Sequence, residues 1–159
     1  MHPNVERVVA AARAAGLEIS VERFPAGTRT AEDAARAVGC HVGQIVKSLV
    51  FVADGRPVLA LVSGANRLDP QRLAAALDAV HARRADGDEA REATGYAIGG
   101  VPPLGHRTPL PVLVDRDLLA HERVWAAAGL PDAVFAVPPD DLVRASGGQV
   151  AEIAGAAPA

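Results

Sequence analysis

Fifteen of the sixteen lysine and arginine side chains in this chain are arginines, and the sixteenth is Lys47. It interrupts an apolar run, Ile45-Val46-Lys47-Ser48-Leu49-Val50-Phe51-Val52. Two-residue alternation puts Lys47 on one strand face with Ile45, Leu49 and Phe51. An ammonium there is costly unless it is paired or reaches water along its stem. Lys47 is therefore either a snorkelling structural residue or a compact point charge that holds a phosphate oxygen or polarises a carbonyl. A lone lysine in an arginine-rich chain favours the second.

A second stretch with chemical potential spans residues 94–106, where Gly95, Gly99, Gly100, Pro102, Pro103 and Gly105 crowd together. Adjacent glycines let a backbone approach a ligand closely, and paired prolines stiffen the residues beside them. Exposed amides in such a loop suit an anion or a developing oxyanion. A tight structural loop is the alternative. The segment is neither a Walker A loop nor a G-x-G-x-x-G fingerprint, so a nucleotide cofactor is not indicated.

Other chemistries find little support. His2, His41, His81, His106 and His121 lack metal-ligand spacing, and one cysteine, Cys40, excludes an internal disulfide or a multi-cysteine zinc site. Cys40 reads as a small buried hydrophobe. Ser63 and Ser146 precede glycines but not within a G-x-S-x-G elbow. With no side-chain nucleophile in evidence, an enzyme of this sequence would work by electrostatics and positioning.

The elements that hold these residues are readable. Val5, Val8, Val9, Ala12 and Ala15 recur at helical spacing up to Gly16, and residues 17–24 alternate as a strand. Thr30 caps a short helix that stops at Gly39. The Lys47 strand joins residues 57–62 through Asp54-Gly55, a hairpin signal. With both faces apolar it is expected to be central in its sheet. Asp69-Pro70 starts a helix to about Ala79, and Asp86 starts another that ends near Thr94-Gly95. Residues 96–111 form no regular element. Further strands are expected at 112–114, 124–126, 134–136 and 149–153, with a helical turn at 118–121 and a helix at 140–145. The pattern is α+β or mixed α/β: one domain over residues 1–159, with a curled, mostly antiparallel, barrel-like mixed sheet flanked by helices.

Composition agrees with a globular chain. At 159 residues, one domain buries roughly 68–70% of its unfolded surface. No apolar run reaches the ~18–20 residues that span a bilayer, and no basic-then-apolar leader comes after Met1. The expected setting is cytoplasmic, with no membrane partner. Residues 1–84 carry 11 basic and 8 acidic side chains, and residues 85–159 carry 5 and 11. A net charge of −3 disfavours non-specific nucleic-acid binding, though Arg67, Arg72, Arg83 and Arg84 offer a local basic face.

Four strings carry a resemblance: TAEDAA from Thr30, QIVKSLVF from Gln44, LVSGAN from Leu61 and TGYAIGGVPPLGH from Thr94. Together they resemble the YbaK/EbsC family of aminoacyl-tRNA deacylases, similar to the editing (insertion) domain of bacterial prolyl-tRNA synthetase. The resemblance implies a free-standing trans-editing hydrolase that cleaves the ester of mischarged aminoacyl-tRNA. The expected substrate is tRNA-Pro or a related tRNA carrying a small wrong amino acid. It implies Lys47 as the key side chain and Gly99, Gly100 and Val101 as backbone donors to the aminoacyl carbonyl and water. Phe24, Thr28, Thr30, Phe51, Ser63, Asn66, Pro103, His106 and Asp115 are implied as substrate-binding positions. It implies no metal and no cofactor; the partners are the aminoacyl-tRNA 3′ end and an aminoacyl-tRNA synthetase. Pro102 stands where many relatives carry serine, which leaves the amino acid removed (Cys, Ala, Ser, Thr or another) open. The competing reading is a non-catalytic module that binds tRNA ends, a nucleotide or a synthetase.

Overall fold

The hairpin that carries Lys47 is formed by β2 (Val46–Ala53) and β3 (Arg56–Ser63). In the computed structural model, which describes residues 1–24 and 30–155, Asp54 and Gly55 have φ of 48° and 81°. Two successive left-handed residues are what a tight two-residue hairpin turn requires. The ladder then runs from Ala53 opposite Arg56 to Val46 opposite Ser63.

The neighbours of this hairpin set the sheet order. The strand β4 (Ala82–Arg84) pairs antiparallel with residues 51–53 of β2. On the far side, β5 (Val112–Asp115) runs parallel to β3, and β8 (Gln149–Ala151) runs parallel to β5. The five-stranded order is β4-β2-β3-β5-β8. A second, antiparallel sheet places β7 (Ala133–Val137) between β1 (Val21–Arg23) and β6 (Val124–Ala127). The sheets meet at one isolated parallel bridge, between Ile45 and Trp125.

The mixed α+β architecture and the antiparallel majority match expectation, and β2 is central as its apolar faces suggested. No closed or curled barrel is found among the described residues.

Among the described residues five α-helices flank the sheets: α1 (Pro3–Ala14), α2 (Ala31–Val38), α3 (Pro70–Ala76), α4 (Gly87–Thr94) and α5 (Pro139–Ser146). Thr30 Oγ1 accepts the Asp33 amide to cap α2, and Asp86 and Glu89 form a reciprocal capping box on α4. Expected elements shorten for local reasons. The strand expected at 17–24 shrinks to β1; at its start the Leu17 amide still donates to Ala12 at the end of α1. The helix expected to reach Ala79 stops at Ala76, just before Asp78 adopts φ of 54°.

Both faces of β3 are buried, which is why it reads as continuous hydrophobicity. Leu59 and Leu61 join the core beneath α1, with Val8, Val114 and Phe135. Val58, Ala60 and Val62 face a second core with Phe51, Leu73 and Ile153. The hairpin is thus clamped from both sides, a rigid support for Lys47 near one end.

Candidate active site

A pocket of about 320 Å3 lies where the two sheets part. Residues 46–49 of β2 form one wall, Ala126 and Ala127 of β6 another, and Thr30 with Ala31 and Ala34 a third. Gly99 and Val101 approach from the glycine-rich loop, and Arg84 stands at the end of β4.

The hairpin register explains why an opening exists there. The Gly64 amide donates to the Ile45 carbonyl at 2.7 Å, so odd-numbered residues of β2 occupy the hydrogen-bonded pairs with β3. Even-numbered residues therefore turn their main-chain groups toward the opposite edge. The Val50 carbonyl meets the Ala85 amide at 3.0 Å, beside β4, and Ile45 bridges Trp125. Ser48 lies between these two attachments, where β4 has ended and β6 has not closed in.

Lys47 is half-buried, and its Nζ donates to the Asn66 carbonyl at 2.5 Å. Burial lowers its pKa from the ordinary lysine value, and Arg84 and Arg67 push the same way; Glu32 and Asp115 oppose them. Asn66 is fixed in turn. Its Nδ2 donates to Asp115 Oδ2 at 2.9 Å and to Asp117 Oδ2 at 2.7 Å. The same Asp115 oxygen accepts the Ser63 amide at 3.0 Å, and Ser63 Oγ donates to the Gly43 carbonyl at 2.7 Å. Asp115 is 2% exposed, so each donor on it matters.

The loop is stiff for reasons internal to the protein. Gly99 has φ of 93°, a conformation that strains any residue with a Cβ. Gly100 is buried, its amide donates to Ala97 at 3.0 Å, and a Cβ on it would come within 3.0 Å of the Leu130 backbone. Its close approach is thus to Leu130, and its amide is already engaged. The Gly99 and Val101 amides make no hydrogen bond among the described residues, and both residues line the pocket. His106 Nε2 lies 2.7 Å from the Pro102 carbonyl, which makes that nitrogen the protonated one. Burial lowers the His106 pKa, favouring the neutral ring.

Of the residues singled out from the sequence, Thr30, Lys47, Gly99 and Val101 line the pocket. Ser63, Asn66 and Asp115 form the bonded group behind the lysine. Pro103 is buried and His106 braces the loop. Phe51 belongs to the second core at 5% exposure, and Phe24, directly after β1, is not among the described residues that line the pocket, although its amide donates to the Asp132 carbonyl beside pocket-lining Pro131. Thr28 lies outside the described residues. Ser48, Ile98, Trp125 and Arg84 also line the pocket. Arg84 is hard to recognise from sequence as a site residue because β4 is three residues long, without an alternating pattern.

The arrangement suits hydrolysis of an activated acyl group. It offers a fixed cation and two loop amides beside an apolar cleft. The pocket hydroxyls lack an activating base among the described residues: Thr30 Oγ1 caps α2, and Ser48 Oγ has no partner. Burial pushes the Cys40 thiol up, away from reactivity. Among the described residues no group of three or more His, Cys, Asp or Glu could hold a metal ion, and no helix is long and apolar enough to cross a membrane.

Residues 25–145 match the aminoacyl-tRNA editing domain family. The chain is 28% identical over 125 residues to EbsC of Enterococcus faecalis, proposed there as a Cys-tRNA(Pro)/Cys-tRNA(Cys) deacylase. That match covers 78% of this chain and 76% of the other. Identity to the proline–tRNA ligase of Solidesulfovibrio magneticus is 38% over 103 residues, 64% of this chain but 18% of the ligase. A crystal structure described as a proposed trans-editing enzyme for prolyl tRNA synthetase superposes with a TM-score of 0.93 at 48% identity. It covers 98% of this chain and 99% of that one.

Proposed function

The chain belongs to the aminoacyl-tRNA editing domain family, and from that premise we propose that it is a trans-editing hydrolase of mischarged aminoacyl-tRNA. Its substrate is tRNA-Pro or a related tRNA carrying a small wrong amino acid. Residues 1–159 act as one cytoplasmic editing domain on the aminoacyl 3′ end, with a prolyl-tRNA synthetase as the natural partner. The likeness to a proposed trans-editing enzyme for that synthetase, along nearly the whole chain, supports the partner.

One observation carries the catalytic reading: the half-buried Lys47 lines the same pocket as Gly99 and Val101, whose amides make no hydrogen bond among the described residues. In the reaction a water oxygen bonds to the ester carbonyl carbon, and negative charge develops on the carbonyl oxygen. Donors placed beforehand stabilise that charge without reorganising during the reaction. The carbon–oxygen bond to the ribose then breaks, the ribose oxygen takes a proton, and free amino acid and tRNA depart. Lys47 supplies positive charge at the cleft, held in place by the Asn66 carbonyl. The loop amides supply neutral donors. Pro103 and His106 keep the loop in register, and Ser63 and Asp115 hold Asn66.

The test is a deacylation panel over mischarged tRNAs with the native protein and Lys47→Ala. The native protein should hydrolyse at least one member. Lys47→Ala should lose on the order of 100-fold or more in rate while keeping its circular dichroism. Saturable tRNA binding with no hydrolysis across the panel would favour a non-catalytic module instead.

A further inference from the structure

Among the described residues one buried side-chain polar atom has no hydrogen-bond partner, and it is Ser48 Oγ. It sits next to Lys47, on the stretch of β2 that lines the pocket. Buried hydroxyls are paired as a rule, since an unsatisfied one bears the whole cost of leaving water. The fold gives this serine no structural task. Val46 and Val50, two residues away on either side and on the same strand face, are apolar and packed in the core. Alanine at position 48 would fit the strand without an orphaned oxygen.

The surroundings of Ser48 narrow what its hydroxyl is for. It borders both the pocket and a recess of about 10 Å3 behind it, with Val50, Ala85, Ala90, Ile98 and Val101 as neighbours. Arg84 is the polar exception there, and it is exposed. Around the pocket, Val46, Leu49, Val101, Ala126 and Ala127 add further aliphatic wall. Rotation about a single χ1 bond carries a serine hydroxyl between staggered positions at small cost. The hydroxyl can therefore turn to a polar group that enters the pocket beside these aliphatic walls.

We infer that Ser48 Oγ reads the side chain of the amino acid being removed, and that the preferred substrates carry a small hydroxylated residue, serine or threonine, rather than alanine or cysteine. The inference rests on the deacylase reading and adds the substrate class to it. Aliphatic walls separate side chains differing by one heavy atom only weakly, whereas a site built around a hydrogen bond rejects the analogue that lacks it. Serine and threonine offer a hydroxyl that both donates and accepts. Alanine offers nothing, and the cysteine thiol is a weak donor and a weak acceptor.

The experiment measures kcat/KM for Ser-, Thr-, Ala- and Cys-tRNA-Pro with the native protein and with Ser48→Ala. The native protein should prefer the two hydroxylated substrates over Ala-tRNA by about tenfold or more, and Ser48→Ala should lower that ratio by about tenfold. Its Tm should be equal to or above the native value, because the orphaned oxygen is gone, and this shows that the fold is intact. An equal loss on all four substrates would overturn the inference, since Ser48 would then serve a group common to them all. So would an unchanged ratio, or a native preference for alanine or cysteine. Hydrolysis of no substrate by the native protein sinks the deacylase reading and this inference with it. Hydrolysis with an unaltered ratio sinks the inference alone.

Discussion

The Lys47 ammonium is held by the main-chain carbonyl of Asn66, at 2.5 Å. That carbonyl is in turn located by the Asn66 side chain, which reaches Asp115 and Asp117 at 2.9 and 2.7 Å. The Lys47 cation is thus aimed by a residue whose own side chain never touches it. Asn66→Ala keeps the carbonyl and removes its support. It should lower kcat by on the order of 10–100-fold, the cost of misplacing a catalytic group by about an ångström, with little change in KM. Asp115→Asn should act in the same direction and also destabilise by about 1–3 kcal/mol, because both carboxylate oxygens accept, and the amide nitrogen would face either the Ser63 and Asn66 donors or the Asp117 amide. Steady-state kinetics on both variants decides the matter. An unaltered kcat in Asn66→Ala would mean that the loop holds the carbonyl without help.

The sequence makes one half of this site legible and hides the other. Lys47 stands out by its rarity and by its place on an apolar strand, and the Asp54-Gly55 turn sets the hairpin register that aims it. The caps on α2 and α4 are equally readable, since threonine or aspartate at the start and glycine at the end have local causes. The hidden half depends on contacts between distant segments. Nothing near Gly100 reveals that Leu130 presses against it, and nothing near Phe51 reveals that α3 and β4 cover it. The pocket wall from Ala126 and Ala127 depends on how two sheets meet, which no local pattern encodes.

Gly100 and Gly99 are fixed by different physics, and alanine should separate them. At Gly100 a new Cβ would meet the Leu130 backbone at 3.0 Å, which cannot swing aside as a side-chain tip would. Gly100→Ala should cost about 1–3 kcal/mol by overpacking. At Gly99 there is room, with Pro131 no nearer than 3.9 Å, but φ of 93° is strained for alanine, at about 1–3 kcal/mol. Denaturant midpoints measure both. An undiminished midpoint in Gly100→Ala would mean that residues 129–131 yield more readily than a packed backbone should.

His106 links the loop to pH. Its folded pKa lies below the ordinary 6.5, chiefly because the ring is buried, although its bond to the Pro102 carbonyl opposes the shift. Below 6.5 the unfolded chain therefore binds a proton that the folded chain resists. The stabilisation is complete above the unfolded pKa and is lost as pH falls through the folded one. Thermal unfolding should show stability falling as pH drops below about 6.5. His106→Gln, which keeps a donor for Pro102 and cannot titrate, should show a shallower fall over that window. Identical pH profiles would remove His106 as the cause.

The four arginines of the basic stretch should prove unequal toward tRNA. Arg83 is tied to Glu89 at 2.8 Å, and that pairing holds the Glu89 carboxyl down at about 2, so the pair stays ionised at neutral pH. Arg72 lies 3.7 Å from Asp69 and donates to the Ala154 carbonyl. Arg84 and Arg67 make no ion pair among the described residues; Arg84 lines the pocket, and the charge of each is felt by Lys47. A phosphate next to the aminoacyl end would therefore meet uncompensated charge at Arg84 and Arg67 but not at Arg72 or Arg83. Binding measured against salt tests this directly. Each single-strand phosphate that a side chain neutralises adds roughly 0.7 to the steepness of log K against log[salt]. Arg84→Ala and Arg67→Ala should each flatten the slope by about that amount, and Arg83→Ala and Arg72→Ala should leave it near the native value. Equal slopes across all four variants would mean that the tRNA end approaches from another side of the pocket.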